Sequence, residues 1–300
     1  MQPVTKFTIG LLSPGDMGQA VGQRLAETGH RVLVALDGRS ARTRGLAKAA
    51  GFDDVGTLDA LVARADLVLT IIDPGQAIPV ADALLAAMKQ TGCHPLFADC
   101  NAVAPATKIA MAEKVHAAGG RFVDGGIIGP PPRGAGKIRL YVSGPGAASL
   151  TSLTTPEISV RAVSDRVGDA AAVKMCYGGV TKGLVALAAE LLVAAERMGV
   201  ASELAEELKL SQPVVTDWMY ATLPPMPSKA YRWVPETLEI AATFEAAGLS
   251  PRMMQGAADI YEAIARTALG RESPETARAA GRRGPDVVDA LAKQMMQEKE

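Results

Sequence analysis

The chain runs to 300 residues with a formal net charge of −1, its basic and acidic residues interspersed. That balance leaves no basic stripe for nucleic acid or an anionic membrane surface, and the length favours two domains over one. Apolar residues make up 48% of the chain and aromatic ones only 4%, so the core has to be assembled from Ala, Val, Leu, Ile and Met.

From Phe7 to about Gly144 short apolar runs alternate with helix-permissive stretches. The expected strands are Phe7–Leu12, Arg31–Leu36, Leu67–Ile72, Leu96–Asp99, Arg121–Asp124 and Ile138–Ser143. The expected helices between them are Met17–Thr28, Ser40–Ala50, Thr57–Ala65, Gln76–Met88 and Pro105–Ala118. Such alternation predicts βαβ units and a doubly wound, parallel sheet covered on both faces. Leu67–Ile72 reads Leu-Val-Leu-Thr-Ile-Ile with no polar alternation, as a strand buried on both sides requires.

Beyond Ser164 the texture changes. After a last strand-like piece, Ser159–Val163, the chain reads as helices at Val173–Met198, Glu203–Leu208, Gln212–Tyr220, Pro235–Ala247, Pro251–Ala268 and Pro285–Gln297. The expected division is an α/β domain over 1–164 and an all-α domain over 165–300. The most apolar window, Leu184–Val193, contains Glu190 and is flanked by Lys182, Glu196 and Arg197, which suits a buried helix better than a membrane span. No basic stretch leads into a long apolar run at the N-terminus, so a cytoplasmic protein is expected. Cys93, Cys100 and Cys176 are too few and too scattered for a disulfide framework or a cysteine zinc site, and no metal is expected.

Chemistry concentrates at four places. The first strand runs into Ser13-Pro14-Gly15-Asp16-Met17-Gly18 and then a helix, the order that sets helix N-terminal amides against a dinucleotide pyrophosphate. About twenty residues past that turn comes the position that reads the adenosine ribose. There Asp37 suits the hydroxyls of NAD, while Arg39, Ser40 and Arg42 suit the 2′-phosphate of NADP. The guanidiniums favour NADP and the carboxylate argues against it, so both cofactors stay open. Asp73-Pro74-Gly75 and Asp99-Cys100-Asn101 end two further strands and should gather at the same rim, although Asp73 also reads as a helix cap.

The third place is the run Asp124-Gly125-Gly126-Ile127-Ile128-Gly129, read as a glycine loop past a strand whose amides approach a ligand, with Arg133 as the nearby anion-binding side chain. The fourth is the start of the long helix. Lys174 lies there in apolar surroundings near a positive dipole end, where lost hydration draws a lysine towards the range useful for acid/base work; Lys182 lies further along.

In this order the stretches resemble the β-hydroxyacid dehydrogenase family, kin of 6-phosphogluconate dehydrogenase. The family's opening I-G-x-x-G-x-G-x-M-G is matched by Ile9–Gly18 except at Ser13, and its D-x-S-T-x-x-P by Asp99–Pro105 with Asn101 in place of a hydroxyl residue. Its D-A-P-V-S-G resembles Asp124–Gly129, and its G-x-G-x-x-x-K-x-x-N resembles Gly168–Tyr177, with Lys174 on the catalytic lysine and Ala170 on the second glycine.

The resemblance implies an N-terminal Rossmann domain followed by an all-helical substrate and dimerisation domain. It implies an NAD(P)-dependent oxidoreductase that interconverts a hydroxyl, of a β-hydroxy acid, and its carbonyl, with Lys174 as general acid/base. Expected cofactor contacts are Ser13, Pro14, Gly15, Asp16, Met17, Asp37, Arg39, Ser40, Asp73 and Asn101. Expected substrate contacts are Gly125, Gly126, Ile127, Ile128, Tyr177 and Trp233, with Ile128 and Tyr177 standing where the family has a serine and an asparagine. Trp233, with Arg232, belongs to the stretch Tyr231–Glu236 that marks a divergent C-terminal half, and it reads either as cleft or as core. The implied assembly is a homodimer acting on a small molecule. An imine reductase or reductive aminase, or a non-catalytic nucleotide sensor, are the competing readings.

Overall fold

The computed structural model describes residues 6–295. The chain divides into two compact units, the division falling after Met175. The first is an eight-stranded sheet in the order β3-β2-β1-β4-β5-β6-β7-β8. Its strands are β1 (Thr8–Leu12), β2 (Arg31–Val34), β3 (Asp53–Asp54), β4 (Leu67–Thr70), β5 (Leu96–Asp99), β6 (Arg121–Ile128), β7 (Ile138–Ser143) and β8 (Ile158–Ser164). The pairs from β3 to β6 are all parallel, β6 and β7 are antiparallel, and β7 and β8 are parallel again.

Helices α1 (Asp16–Glu27), α2 (Ala41–Ala49), α3 (Leu58–Val62), α4 (Ala77–Thr91) and α5 (Pro105–Ala117) lie between the strands. Alternate strand residues feed two separate cores, as a sheet covered on both faces demands. Ile9, Leu11, Leu67 and Leu69 join Val21 and Leu25 of α1. On the other side Leu12, Val68 and Phe97 join Leu61, Leu84 and Met111 from α3, α4 and α5. This is the expected doubly wound sheet.

Three differences from the expected elements carry information. β6 runs on to Ile128 instead of ending at Asp124, because β7 pairs antiparallel with its second half: Gly125 opposite Val142, Ile128 opposite Arg139. The expected glycine loop over Gly125–Ile128 is therefore a strand, all four residues buried. β2 stops at Val34, and the turn after it is held by Asp54 and Gly56 around the short, acidic, exposed β3, which has no apolar pattern to announce it.

The second unit is helical, and among the described residues no strand follows β8. It contains most of α6 (Asp169–Met198), then α7 (Ala201–Ser211), α8 (Pro213–Thr222), α9 (Ala230–Ala246), α10 (Arg252–Arg266), α11 (Pro274–Ala279) and α12 (Gly284–Gln294). Val185, Leu192, Met226, Tyr261, Ile264 and Leu291 are among its core. α9 starts at Ala230 rather than at Pro235, so the proline sits inside the helix. Its cost is met by packing on both sides of it, since Ala230, Thr237 and Ile240 are all buried. α6 is long and apolar enough, by length and composition, to cross a membrane, and 50% of that window is buried inside the protein.

The turn from β1 into α1 holds a residue in a costly conformation. Ser13 has φ +61°, and it is the one non-glycine among the described residues in the left-handed region. Its carbonyl accepts the Gly15 N–H at 2.6 Å, and a Cβ on Gly18 would come within 3.3 Å of the same oxygen. The family glycine at position 13 is thus answered by backbone geometry, which serine adopts under strain. Ser13→Gly is expected to stabilise the protein by about 0.5–1 kcal/mol, the left-handed penalty less the entropy glycine adds to the unfolded chain. The measurement is a rise in urea midpoint at unchanged slope.

Candidate functional site

The sheet register lays a row of residues at the ends of β1, β4, β5 and β7 and midway along β6: Leu12 beside Thr70, Thr70 beside Asp99, Asp99 beside Asp124, Asp124 opposite Ser143. The last four are polar and buried. The Thr70 hydroxyl donates to Asp99 Oδ1 at 2.5 Å, and the Ser143 hydroxyl donates to Asp124 Oδ2 at 3.1 Å.

Two buried carboxylates side by side need a cation, and α5 supplies it. Lys108 is fully buried, and its ammonium donates to Asp99 Oδ2 at 2.5 Å, to the Asp99 carbonyl at 2.5 Å and to the Gly125 carbonyl at 3.3 Å. Asp124 Oδ1 lies 3.5 Å away. Burial alone would lower the Lys108 pKa; the two carboxylates outweigh it and hold the ammonium above the ordinary lysine value. The neighbouring Cys100 thiol is pushed up to about 12 by burial, with Lys108 opposing, so it is a neutral packing group.

Asp124 also receives the N–H groups of Gly168 at 3.1 Å and Ala171 at 2.9 Å, while Ser143 Oγ receives that of Ala170. These are the orphan donors at the start of α6. A carboxylate there is favoured by the helix dipole as well as by the two bonds. The strand row thereby fixes the first turns of α6, where Lys174 sits half-buried. A Cβ on Gly126 would lie 2.8 Å from Lys174 Cβ and 2.9 Å from the Ala170 carbonyl, and one on Gly125 would lie 2.7 Å from Cys100 Sγ. The paired glycines allow β6 to approach α6 and the end of β5. They lie within a strand and pack closely, where the sequence suggested an open loop. Ile127 and Ile128 point the same way, being buried side chains of β6.

The residues expected to contact a dinucleotide fall at the same rim. Gly15 is the N-cap of α1 and makes no side-chain cap hydrogen bond to the first-turn amides, an arrangement that suits an anion. Ser13, Pro14, Gly15 and Gly18 shape the turn, Met17 packs against the sheet core, and Asp16 is exposed in the first turn. These features fit a dinucleotide pyrophosphate. Asp37, Arg39 and Ser40 are exposed together on the turn after β2, Ser40 also capping α2 by accepting from Thr43 N–H. Asp73 caps a short 3-10 turn by accepting from Gly75 N–H at 2.9 Å.

Asn101 is bonded within the protein. Its amide donates to Thr70 Oγ1 and Asp99 Oδ1, and its carbonyl accepts Ile72 N–H at 2.7 Å, tying the end of β5 to that of β4. Arg133, grouped in the sequence with the Gly125 run, lies instead across the first turn of α1, bonded to Asp16 and Gln19. Tyr177 and Trp233 belong to the second unit. Tyr177 is exposed on α6. Trp233 packs edge-on against Tyr261 with rings 5.2 Å apart, and the Lys182 ammonium lies 5.0 Å from its ring centre and 2.9 Å from Glu236. That favours the core reading of Trp233. Burial, with Glu236 nearby, raises the Tyr261 pKa, and its hydroxyl donates to the Lys182 carbonyl at 2.6 Å.

Sequence reasoning passed over Lys108, Thr70 and Ser143. For Lys108 a signal exists: with Met111, Ala112 and Val115 it occupies the buried i, i+3, i+4, i+7 face of α5.

Residues 8–154 match the NAD binding domain of 6-phosphogluconate dehydrogenase, and residues 195–264 match a domain of unknown function. An uncharacterized 28.5 kDa protein of Methanothermus fervidus is 28% identical over 203 residues, 67% of this chain and 76% of that one. The 3-hydroxyisobutyrate dehydrogenase of Mycobacterium tuberculosis, solved with L-serine, superposes with a TM-score of 0.67 at 20% identity over 93% of this chain and all of the other. A reductive aminase of Aspergillus terreus, solved with a reduced nicotinamide dinucleotide, cyclohexanone and allyl amine, does so at 0.55 and 18% identity over 93% and 100%.

Lys108→Met would strand two carboxylates in the interior and is expected to cost about 3–5 kcal/mol. Urea unfolding measures it, and adding Asp99→Asn should return part of the loss.

Proposed function

This chain belongs to the 6-phosphogluconate dehydrogenase-like NAD(P)-binding family, with a divergent C-terminal domain, and from that premise we propose that it is an oxidoreductase acting on the hydroxyl group of a small hydroxy acid. The observation that carries the reading is the placement of Lys174. The α6 turns that bear it are capped by Asp124, itself in register with the strand ends whose rim also holds the open N-terminus of α1. A nicotinamide cofactor at α1 supplies the hydride acceptor or donor.

Lys174 takes the hydroxyl proton in oxidation, and in reduction it returns that proton and offsets the charge developing on oxygen. Its contribution depends on aim more than on reach. The Lys174 Cβ is seated against Gly126, so the ammonium is swung from a fixed base rather than from a mobile loop. Arg39 and Ser40 lean the cofactor choice to NADP, with Asp37 on the same turn keeping NAD in the comparison. We place the protein in the cytoplasm as a homodimer. Tyr177, Val180, Leu184 and Leu187 are exposed at helical spacing on α6, an apolar stripe that suits a second copy of the chain.

Hydride transfer followed at the nicotinamide absorbance across a panel of hydroxy acids, with imines alongside, tests the reading. Turnover confined to imines would move the protein to the reductive aminase chemistry of its structural neighbour, and dinucleotide binding without turnover on any compound would overturn the enzyme reading. Lys174→Ala is expected to lower kcat by about 10²–10⁴-fold while dinucleotide affinity stays unchanged. Arg39→Ala should raise the KM for NADP about tenfold and leave that for NAD alone; equal losses for both would remove the phosphate role from this turn.

A further inference from the structure

The first turn of α1 carries a charge of the wrong sign for its ligand. Asp16 is the first residue of that helix, 54% exposed, beside uncapped amides that should receive a pyrophosphate. A carboxylate at that place repels the dinucleotide unless something offsets it. Arg133 does so. Its Nη1 donates to Asp16 Oδ1 at 2.5 Å, and its Nη2 donates to the Asp16 carbonyl at 2.7 Å and to Gln19 Oε1 at 2.5 Å.

The loop that delivers this side chain is built to hold it there. Pro130, Pro131 and Pro132 restrict the backbone ahead of it. Arg133 N–H donates to the Pro131 carbonyl at 2.8 Å, and Gly136 N–H donates to the Arg133 carbonyl at 2.9 Å. Arg24 of α1 adds a second tether, its Nε donating to the Pro132 carbonyl at 3.0 Å. A guanidinium has five N–H donors, and three are committed; the Nε hydrogen and one on Nη1 have no acceptor among the described residues.

We propose that Arg133 is a dinucleotide-binding residue: it neutralises Asp16 and directs its remaining donors to the cofactor pyrophosphate at the N-terminus of α1. The inference rests on the dinucleotide site assigned above and adds a residue to it from a loop far away in sequence. The Asp16 pair is half-exposed, so sharing it with a phosphate costs little, while guanidinium–phosphate bonds are among the stronger polar contacts. Because the pyrophosphate is common to both cofactors, the contact does not discriminate between NAD and NADP.

Titration calorimetry of the full chain with NADPH and with NADH, without substrate, tests this. Arg133→Ala is expected to weaken both dinucleotides about tenfold or more. Asp16→Asn in the Arg133→Ala background should recover part of that loss by removing the unopposed carboxylate. Arg24→Ala, which removes the loop's other tether, should change either affinity by less than about twofold. Unchanged binding in Arg133→Ala, or equal losses in Arg133→Ala and Arg24→Ala, would reduce Arg133 to a loop anchor and overturn the proposal. Failure of the unaltered protein to bind either dinucleotide would overturn the site itself, a result distinct from both.

Discussion

The buried ammonium of Lys108 is the interaction on which the arrangement of the first unit depends. Asp99, at the end of β5, and Asp124, midway along β6, occupy adjacent register positions, both wholly inside. Two carboxylates buried there need a cation and hydrogen bonds; Asp124 Oδ1 has the 3.5 Å ion pair with Lys108 but no hydrogen-bond donor among the described residues. Lys108 meets both, and the surplus bonding capacity of the carboxylates is then taken up by Thr70, Asn101, Ser143 and the first amides of α6. One charge from α5 thus connects four strands and two helices. Networks of this kind cost more when broken than they contribute when whole, which makes them devices for holding a geometry.

What is held is the rim. β4 and β5 are bracketed by Asn101 through the Ile72 N–H, β6 is drawn against α6 by its glycines, and α6 starts where Asp124 lets it start. Lys174 takes its direction from that start. On the other flank, the turn at Ser13–Gly18 accepts a strained serine so that α1 can open directly onto the strand end. Strain at a ligand turn is ordinary where the surrounding structure over-determines the conformation, and here two buried cores, one on each face of the sheet, do so.

Much of this is legible in the chain. Unbroken apolar runs such as Leu67–Thr70 announce strands covered on both faces, and helix-permissive stretches between them announce crossovers, so the alternating α/β domain and the helical second half follow from periodicity. The turn at Ser13–Gly18 and Lys174 can be read as motifs because each is local, a matter of a few residues in a row. The Gly125–Ile128 run reads as a loop in the sequence, and is a strand in the fold, for the opposite reason. Glycines beside isoleucines look like a loop until β7 arrives to pair with them, and that pairing is a contact between segments the sequence does not align.

Period and spacing along the chain determine which segments are strands and helices, where a glycine turn leads from strand into helix and which lysine leads a long helix, because each depends on neighbours within a few residues. Only the tertiary structure decided that Lys108 is a buried counter-ion and not a surface charge, that Asn101 ties two strands together, and that Arg133 reaches α1. Those outcomes depend on burial and on partners brought from distant parts of the chain. The charge of a side chain is written in its residue type, but its partner is chosen by the fold.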